Sequence, residues 1–312
     1  MALPEGYFDY PHRAKGLDHA LFSMRYLKDA KPLAWGEGKS LALWLTVGVD
    51  WFPLDMPKGP VMPVGGLARP YPDLWNYTTR DYGNRVGIYR LMSLFEKHGV
   101  TPTAFVNSAV CERCPVLIRD MVARSWEIAA AGVDMGSIHT GGMDPATEKA
   151  WIERSVSTIA GATGKMPKGW QSPAFSESEN TPAFLAQAGL SYLCDWVNDD
   201  MPYAVSTGEG SLVALPAQYE LSDKRILFEQ NQSLASFESQ VLGAYKSLKA
   251  EATAESGRIL SISLSPWVIG QPYRIQALNR LLTQLLEDPS VVPMTGEEIY
   301  AVFSNQNKTG AP

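Results

Sequence analysis

The chain has 312 residues, of which 45% are hydrophobic and 19% charged, with 26 glycines and 22 prolines. This composition excludes a disordered or fibrous protein and is compatible with one large domain or two small ones. The formal net charge is −6, so the positive charge typical of proteins that bind nucleic acids or anionic membranes is missing. We therefore expect a cytoplasmic protein whose partner is a small molecule or another protein, without nucleic acid or membrane, and we leave a homo-oligomer open.

The first elements in chain order are an arm, a strand and a loop. Residues 1–40 are punctuated by proline, glycine and charge, which favours an arm packed on the main body. Residues 41–49 are almost continuously apolar, as in a strand covered on both faces, but too short to span a membrane. Residues 52–80 hold many prolines and predict a long irregular loop, which in compact domains is often functional.

Beyond this loop, helical patterns alternate with short apolar runs. The predicted helices are residues 86–98, 115–125, 146–162, 181–188, 234–251, 273–287 and 296–304. The predicted strands are residues 103–107, 126–130, 168–171, 191–195, 212–215, 258–264 and 291–294. Such alternation indicates parallel βα units. We predict an α/β fold, a single distorted (β/α) barrel of seven or eight units over residues 41–304, followed by a flexible tail at 305–312.

In a barrel, the carboxyl ends of the strands carry the active site. This rule selects a set of polar and aromatic residues at the predicted strand ends, namely Asp50, Asn107, the segment 131–139, Gln171, Ser172, Asp195, Ser265 and Trp267. Glycine-rich nucleotide-binding motifs are missing from the sequence.

Five segments together carry a more specific signal. They are Asp50-Trp-Phe, Arg80-Asp-Tyr-Gly-Asn-Arg, Trp126-Glu-Ile-Ala-Ala-Ala-Gly, Gly169-Trp-Gln-Ser-Pro and Cys194-Asp-Trp-Val-Asn-Asp-Asp-Met-Pro-Tyr. In this order they resemble the polysaccharide deacetylase superfamily over roughly residues 40–300, and most closely its branch of allantoinase-like and cyclic imide hydrolase-like proteins. The resemblance implies a distorted β/α barrel and hydrolysis of a carbon–nitrogen bond.

The sequence departs from this family where the family binds a metal. Family members with a metal use an Asp pair, two histidines four residues apart and a late histidine. Here the corresponding residues are Val49 and Asp50, then Ala131 and Met135, then Ser265, and the position of a family arginine is Gln171. We therefore predict no metal and no cofactor.

Four residues are candidates for acid–base chemistry. Asp50 follows a strand beside two aromatic residues, where burial would raise its pKa toward that of a general base, although the same carboxylate could simply brace the loop. His139 lies in a glycine-flanked segment and could assist proton transfer or brace that segment. Asp195 and Asp199, with Asp200, form an acidic cluster that could divide acid and base roles or form turns.

A second set of residues would bind the substrate. Asn84 is predicted to cap a helix, and Arg85 to reach into the mouth of the barrel or to pair with an acid. Aromatic walls suit a flat ring, although tryptophans also pack cores. The predicted substrate-binding residues are Trp51, Tyr82, Arg85, Asn107, Gln171, Trp196 and Trp267.

Three hypotheses follow from the sequence. The first is a metal-independent hydrolase of non-peptide C–N bonds acting on a small cyclic amide, imide or ureide. The second is a catalytically silent relative that binds a similar ligand or serves as an assembly subunit. The third is a lyase or isomerase that uses carboxylate proton transfer.

Overall fold

A computed structural model describes residues 19–56 and 72–308. Within these ranges nine strands form one sheet: β1 Leu41–Val49, β2 Thr103–Val106, β3 Glu127–Ala130, β4 Gly169–Trp170, β5 Tyr192–Leu193, β6 Tyr203–Ser206, β7 Ser211–Ala214, β8 Arg258–Leu264 and β9 Val291–Pro293. The α-helices are α1 Leu74–Tyr82, α2 Ile88–His98, α3 Ser108–Arg113, α4 Pro115–Ala123, α5 Pro145–Thr163, α6 Thr181–Gln187, α7 Leu234–Glu251, α8 Pro266–Ile269, α9 Ile275–Leu286 and α10 Gly296–Lys308. Two π-helical segments, Gly83–Gly87 and Lys224–Glu229, and two short 3-10 helices, Leu27–Asp29 and Pro173–Phe175, complete the described helical structure.

The sheet has the strand order β6-β7-β5-β4-β3-β2-β1-β8, with β9 pairing the first three residues of β1. All pairs are parallel except β6 with β7. In the described part of the chain the end strands β6 and β8 do not pair with each other. The predicted α/β fold of distorted barrel type is confirmed, with the sheet curled but open between these two edges.

The alternation of side chains along β1 separates the core from the site. Leu41, Leu43, Leu45, Val47 and Val49 face the helices and join the larger apolar cluster. The even positions point to the interior of the curled sheet, because successive side chains of a strand lie on opposite faces. Two of these, Ala42 and Trp44, fill the interior near the start of the strand, and the later ones, Thr46, Gly48 and Asp50, line a cavity.

The arm joins the two open edges of the sheet. The backbone N–H of Ser206 in β6 donates to the carbonyl of Leu21, and the N–H of Gly257, just before β8, donates to the carbonyl of Leu33. Trp35 is buried, and its indole N–H donates to the carbonyl of Arg258 at 3.0 Å. The described part of the predicted arm therefore bridges the gap between β6 and β8; residues 1–18 lie outside the described residues.

The sequence analysis and the structure differ at three places. The predicted loop 52–80 is wrong at its end, because Leu74–Tyr82 is helical with Asp73 accepting N–H bonds at its start; residues 57–71 lie outside the described residues. The tail predicted to begin at residue 305 starts inside α10, which continues to Lys308; residues 309–312 are not described. The strand β6 was not predicted from the sequence.

Candidate active site

A cavity of about 80 Å³ lies at the carboxyl ends of β1, β3, β4 and β8. Asp50, Lys224 and Gln171 bring charged and amide groups to it, and Ser172, Ser222, Ser263 and Ser265 bring hydroxyl groups. The remaining lining residues are Thr46, Gly48, Phe105, Ala131, Met135, Pro173, Ala174, Phe175, Tyr219 and Leu264. A volume of this size holds about three water-sized groups, which suits the reacting end of a small molecule.

Asp50 is the carboxylate of this cavity. Burial raises its pKa above the ordinary value, while the positive charges of Lys224 and Arg80 act in the opposite direction. Its backbone carbonyl accepts a hydrogen bond of 2.8 Å from the side chain of Asn84, which fixes the loop after β1. Asn84 lies within the π-helical segment Gly83–Gly87, so the prediction that it caps a helix is wrong.

Arg80 holds a positive charge close to this carboxylate. Its guanidinium carbon lies 4.7 Å from the centre of the Phe52 ring and 5.0 Å from that of the Trp267 ring. The guanidinium also donates to the backbone and side-chain oxygens of Asn76, both at 3.2 Å. Trp267 thus packs against Arg80 and is buried instead of lining the cavity.

The residues of the cavity do not fit the metal that the family resemblance implies. Ala131 and Met135, at the two family histidine positions, line the cavity with a methyl and a thioether group. In residues 19–56 and 72–308, no group of three His, Cys, Asp or Glu side chains could hold a metal ion. Three of the histidines have other surroundings: His19 contacts Phe22, His98 contacts Asn279 and His139 is buried; His12 lies outside the described residues.

His139 does not line the cavity. Its side chain is fully buried, with Nδ1 3.2 Å from Oε1 of Glu148 and ring contacts to Trp151 and Trp170. Glu148 also accepts hydrogen bonds from the hydroxyls of Ser178 and Thr181. The structure therefore places His139 in a buried polar cluster behind the cavity, where bracing is the role that its contacts support.

The acidic cluster predicted after the fifth strand separates into different environments. Asp195 is buried, and its Oδ1 accepts the backbone N–H of Ser172 at 2.6 Å. Asp199 pairs with Arg25 of the arm at 2.5 Å, and Asp200 accepts a hydrogen bond from Gln218. The side chains of Asp195 and Asp199 do not line the cavity that contains Asp50. Oδ1 of Asp199 accepts the N–H of Met201 at 2.9 Å, so turn formation is the predicted role that the contacts of Asp199 support.

Glu177 is the partner of Asp195 that the sequence did not reveal. Burial and the negative charge of the adjacent Asp195 raise the pKa of Glu177 to about 9. Burial also raises the pKa of Asp195, to about 6. Oε2 of Glu177 accepts the indole N–H of Trp196 at 2.7 Å. The mutual repulsion of two buried carboxylates thus favours a protonated Glu177 at neutral pH.

Most of the predicted substrate-binding residues lie outside the cavity. Asn107 is fully buried, accepts the N–H of Trp51 at 2.7 Å and donates to the carbonyl of Ala131, so its amide ties three strand ends together. Tyr82 accepts a hydrogen bond from Arg90. Of the seven predicted residues, Gln171 alone is brought to the cavity wall.

Three other residues of this set have contacts away from the cavity. Arg85 is largely exposed and pairs with Asp81 at 3.4 Å, so of its two predicted roles the structure supports pairing with an acid and not reaching into the mouth. The Trp51 ring lies against Arg113, with its centre 4.9 Å from the guanidinium carbon. Trp196 stacks on Tyr203, with ring centres 6.5 Å apart.

Lys224 is the functional candidate that the sequence analysis missed. It begins the π-helical segment Lys224–Glu229 and shares the cavity with Asp50. The only signal in the sequence is the preceding Asp223, a residue type common at helix starts, in a segment without a strand pattern.

The comparisons with known proteins agree with this fold. The polysaccharide deacetylase family model matches residues 72–193. A Schizosaccharomyces pombe protein, provisionally named a polysaccharide deacetylase, is 26% identical over 247 residues, which are 72% of this chain and 74% of that one. A crystal structure from Pseudomonas aeruginosa PAO1, also provisionally named a polysaccharide deacetylase, superposes with a TM-score of 0.79 at 25% identity, over 87% of this chain and 93% of that one.

A second superposed structure is that of an allantoinase. The crystal structure of the allantoinase PuuE superposes with a TM-score of 0.80 at 24% identity, over 91% of this chain and 98% of that one. The predicted resemblance to the polysaccharide deacetylase superfamily is confirmed over residues 72–193 by the family model, and the superposition on the allantoinase PuuE shows that the two folds are alike.

The described helices also bear on the membrane question. None of those in residues 19–56 and 72–308 combines the length and the apolar character that a membrane crossing requires.

Proposed function

We propose that this protein hydrolyses a C–N bond of a small cyclic amide, imide or ureide without a metal ion. The observation that carries the proposal is the cavity at the carboxyl end of the sheet, where Asp50 faces Lys224 beside several hydroxyl groups and no set of metal ligands is assembled by the described residues. Its small volume favours the reacting end of a ring over a run of sugar units. The superposed allantoinase PuuE has a name that denotes action on a cyclic ureide, which supports this substrate class.

Asp50 supplies the base in this proposal. A raised pKa makes its carboxylate more basic than that of an ordinary aspartate, which suits a general base. The carboxylate takes a proton from water, the hydroxide adds to the ring carbonyl carbon, the C–N bond breaks, and the ring nitrogen receives the proton. The hydroxyl groups of the cavity and Gln171 orient the ring.

The decisive experiment is turnover by the purified protein on a panel of succinimide, hydantoin, allantoin and an N-acetylated sugar, before and after treatment with a chelator. We expect ring opening of at least one cyclic compound, unchanged by the chelator. Asp50→Asn should reduce kcat/KM by about 10²- to 10⁴-fold while the protein still folds, because a general base contributes a factor of that order.

The matched control is Glu153→Gln, a carboxylate replaced on the exposed face of α5, which should leave turnover unchanged. Loss of activity on metal removal, or full activity of Asp50→Asn, contradicts the proposal. Binding of a ring compound without any turnover would instead support the catalytically silent relative. A cytoplasmic location and a homo-oligomer stay predictions from the sequence.

A further inference from the structure

Lys224 lines the cavity that also contains Asp50. Its positive charge acts on that carboxylate, as does the charge of Arg80. The Lys224 side chain is 38% exposed, so it can reach both the cavity and solvent. A cation in this position can bind an oxygen of a ligand that also contacts Asp50.

The backbone of Lys224 is held firmly at its start. The buried carboxylate of Asp223 accepts the N–H of Lys224 at 2.7 Å and that of Ile269 at 3.0 Å. Both oxygens of Asp223 also accept the N–H of Ser265, at 2.9 and 3.0 Å. This carboxylate thus ties the Lys224 segment to the end of β8, and the backbone of Lys224 keeps a fixed position relative to the cavity.

The ion pair of Lys224 with Glu229 does not occupy the lysine fully. Its nitrogen lies 3.7 Å from Oε1 of Glu229, longer than a charge-assisted hydrogen bond. Glu229 has two further partners, the Tyr219 hydroxyl, which donates to it, and the Arg225 guanidinium at 3.5 Å. Glu229 is therefore satisfied without Lys224, and the ammonium can move to a ligand at little cost.

We propose that the Lys224 ammonium is the electrophilic group of this site, binding the carbonyl oxygen of the ring and the negative charge that develops on it. This inference rests on the proposed hydrolysis. It assigns to Lys224 the charge stabilisation that a metal ion would otherwise supply, because the described residues assemble no set of metal ligands. Preorganised positive charge at a developing oxyanion is commonly the largest single contribution to such catalysis.

The proposed hydrolysis consumes only the ring compound and one water molecule. Water gives a proton to Asp50 and its oxygen bonds to the carbonyl carbon, so the carbonyl electron pair moves to the oxygen held by Lys224. That pair returns, the C–N bond breaks, and the nitrogen takes the proton from Asp50. The new carboxylic acid loses its proton to solvent, and its carboxylate stays beside Lys224. The ring-opened product should therefore bind as an anion at this lysine.

The test compares Lys224→Met, Lys224→Arg and Glu229→Gln in the full chain. Titration calorimetry measures binding of two product anions, succinamate and hydantoate, and turnover is measured on succinimide and hydantoin. Lys224→Met should weaken binding of at least one anion by 10-fold or more and lower kcat/KM by about 10²-fold. Lys224→Arg should retain binding, and Glu229→Gln should stay within about threefold of wild type, since the ion pair is not needed for the ligand.

The outcomes separate this inference from the function it rests on. If anion binding depends on Lys224 but the wild type shows no turnover, the proposed hydrolysis is contradicted and the anion-binding role of Lys224 is supported. The inference is overturned if neither anion binds the wild type, if Lys224→Met binds them equally well, or if Glu229→Gln loses as much as Lys224→Met. Melting curves check that the folded state is retained in each variant.

Discussion

At the scale of single residues, the contrast between Asp50 and Asp195 shows how one residue type takes two roles. Asp50 lines the cavity and faces the charges of Lys224 and Arg80. Asp195 is buried against Glu177, accepts a backbone N–H and has no cation among the causes of its pKa shift. The first can exchange protons with a ligand in the cavity, whereas the second lies away from the cavity beside another buried carboxyl group.

The Glu177–Asp195 pair makes stability depend on pH. Because the pKa of Glu177 is raised in the folded state, the folded protein binds more protons than the unfolded chain above about pH 4.5. Stability is therefore lost as the pH rises from there toward the folded-state pKa. Glu177→Gln removes this loss. The unfolding free energy of the variant should therefore rise by about 1 kcal/mol relative to that of the wild type as the pH increases from 5 to 8, after allowance for solvent screening.

Urea unfolding at several pH values measures this difference. The control is Glu179→Gln, an exposed carboxylate two residues away, which should keep the wild-type pH dependence. If the unfolding free energies of wild type and Glu177→Gln changed with pH in parallel, the raised pKa of Glu177 in the folded protein would be contradicted.

At the scale of elements, glycines let the π-helical segment Gly83–Gly87 cross α8 at very short distance. A Cβ atom on Gly87 would lie 2.0 Å from the carbonyl oxygen of Pro266, and one on Gly270 would lie 2.2 Å from the same atom. The neighbour is backbone, which cannot rotate away as a side chain can. This crossing holds the segment whose Asn84 fixes the carbonyl of Asp50.

Gly87→Ala should therefore destabilise the protein by about 2–3 kcal/mol, through overpacking against backbone. The matched control is Gly161→Ala in α5, where no atom lies within 4 Å of the added methyl group. That change should stabilise by about 0.5–1 kcal/mol, since alanine is the better helix former. Chemical unfolding of both variants checks the opposite signs, and equal effects would refute the close crossing.

The sequence predicted the long elements well and the short ones poorly. Leu41–Val49 and Arg258–Leu264 show clear apolar runs, and their ends locate Asp50 and Ser265 correctly. The fifth strand covers only Tyr192–Leu193, so the sequence pattern could not fix which side chains after it face the interior of the sheet. Cys194 packs in the interior apolar cluster, and Asp195 does not line the cavity. Strand alternation reverses the assignment for an error of one residue.

Two further misses have different physical causes. A π-helical turn inserts an extra residue into a helix, which rotates the residues that follow, and such segments have no simple sequence signature. Arg85 lies in such a segment and points to solvent. Lys224 depends on a non-local contact, the hydrogen bonds from Ser265 and Ile269 to Asp223, which no local pattern reveals.

At the scale of the whole molecule, the arm stabilises a sheet that does not close on itself. It contacts β6 through Leu21 and the start of β8 through Leu33 and Trp35. Exposed strand edges favour pairing with other chains, and covering an edge prevents this. The described arm therefore contributes to the stability of both edges at once.

Trp35→Ala should cost about 3–5 kcal/mol of unfolding free energy, because a large buried ring is removed from the junction of arm and sheet. Tyr26→Ala, which removes an aromatic ring 63% exposed on the same arm, should change stability by less than about 0.5 kcal/mol. Thermal and urea unfolding measure both. A small effect of Trp35→Ala would mean that the barrel is stable without this contact.

The alternation along β1 has a consequence for how this scaffold can change. Residues that pack the helices and residues that line the cavity occupy opposite faces of the same strand, so either set can be replaced while the other keeps its neighbours. New reactivity can therefore be acquired here by exchanging a few inward side chains, at little expense to the folded state. Proteins with such a strand can therefore change the residues of the site while they keep the residues that hold the fold.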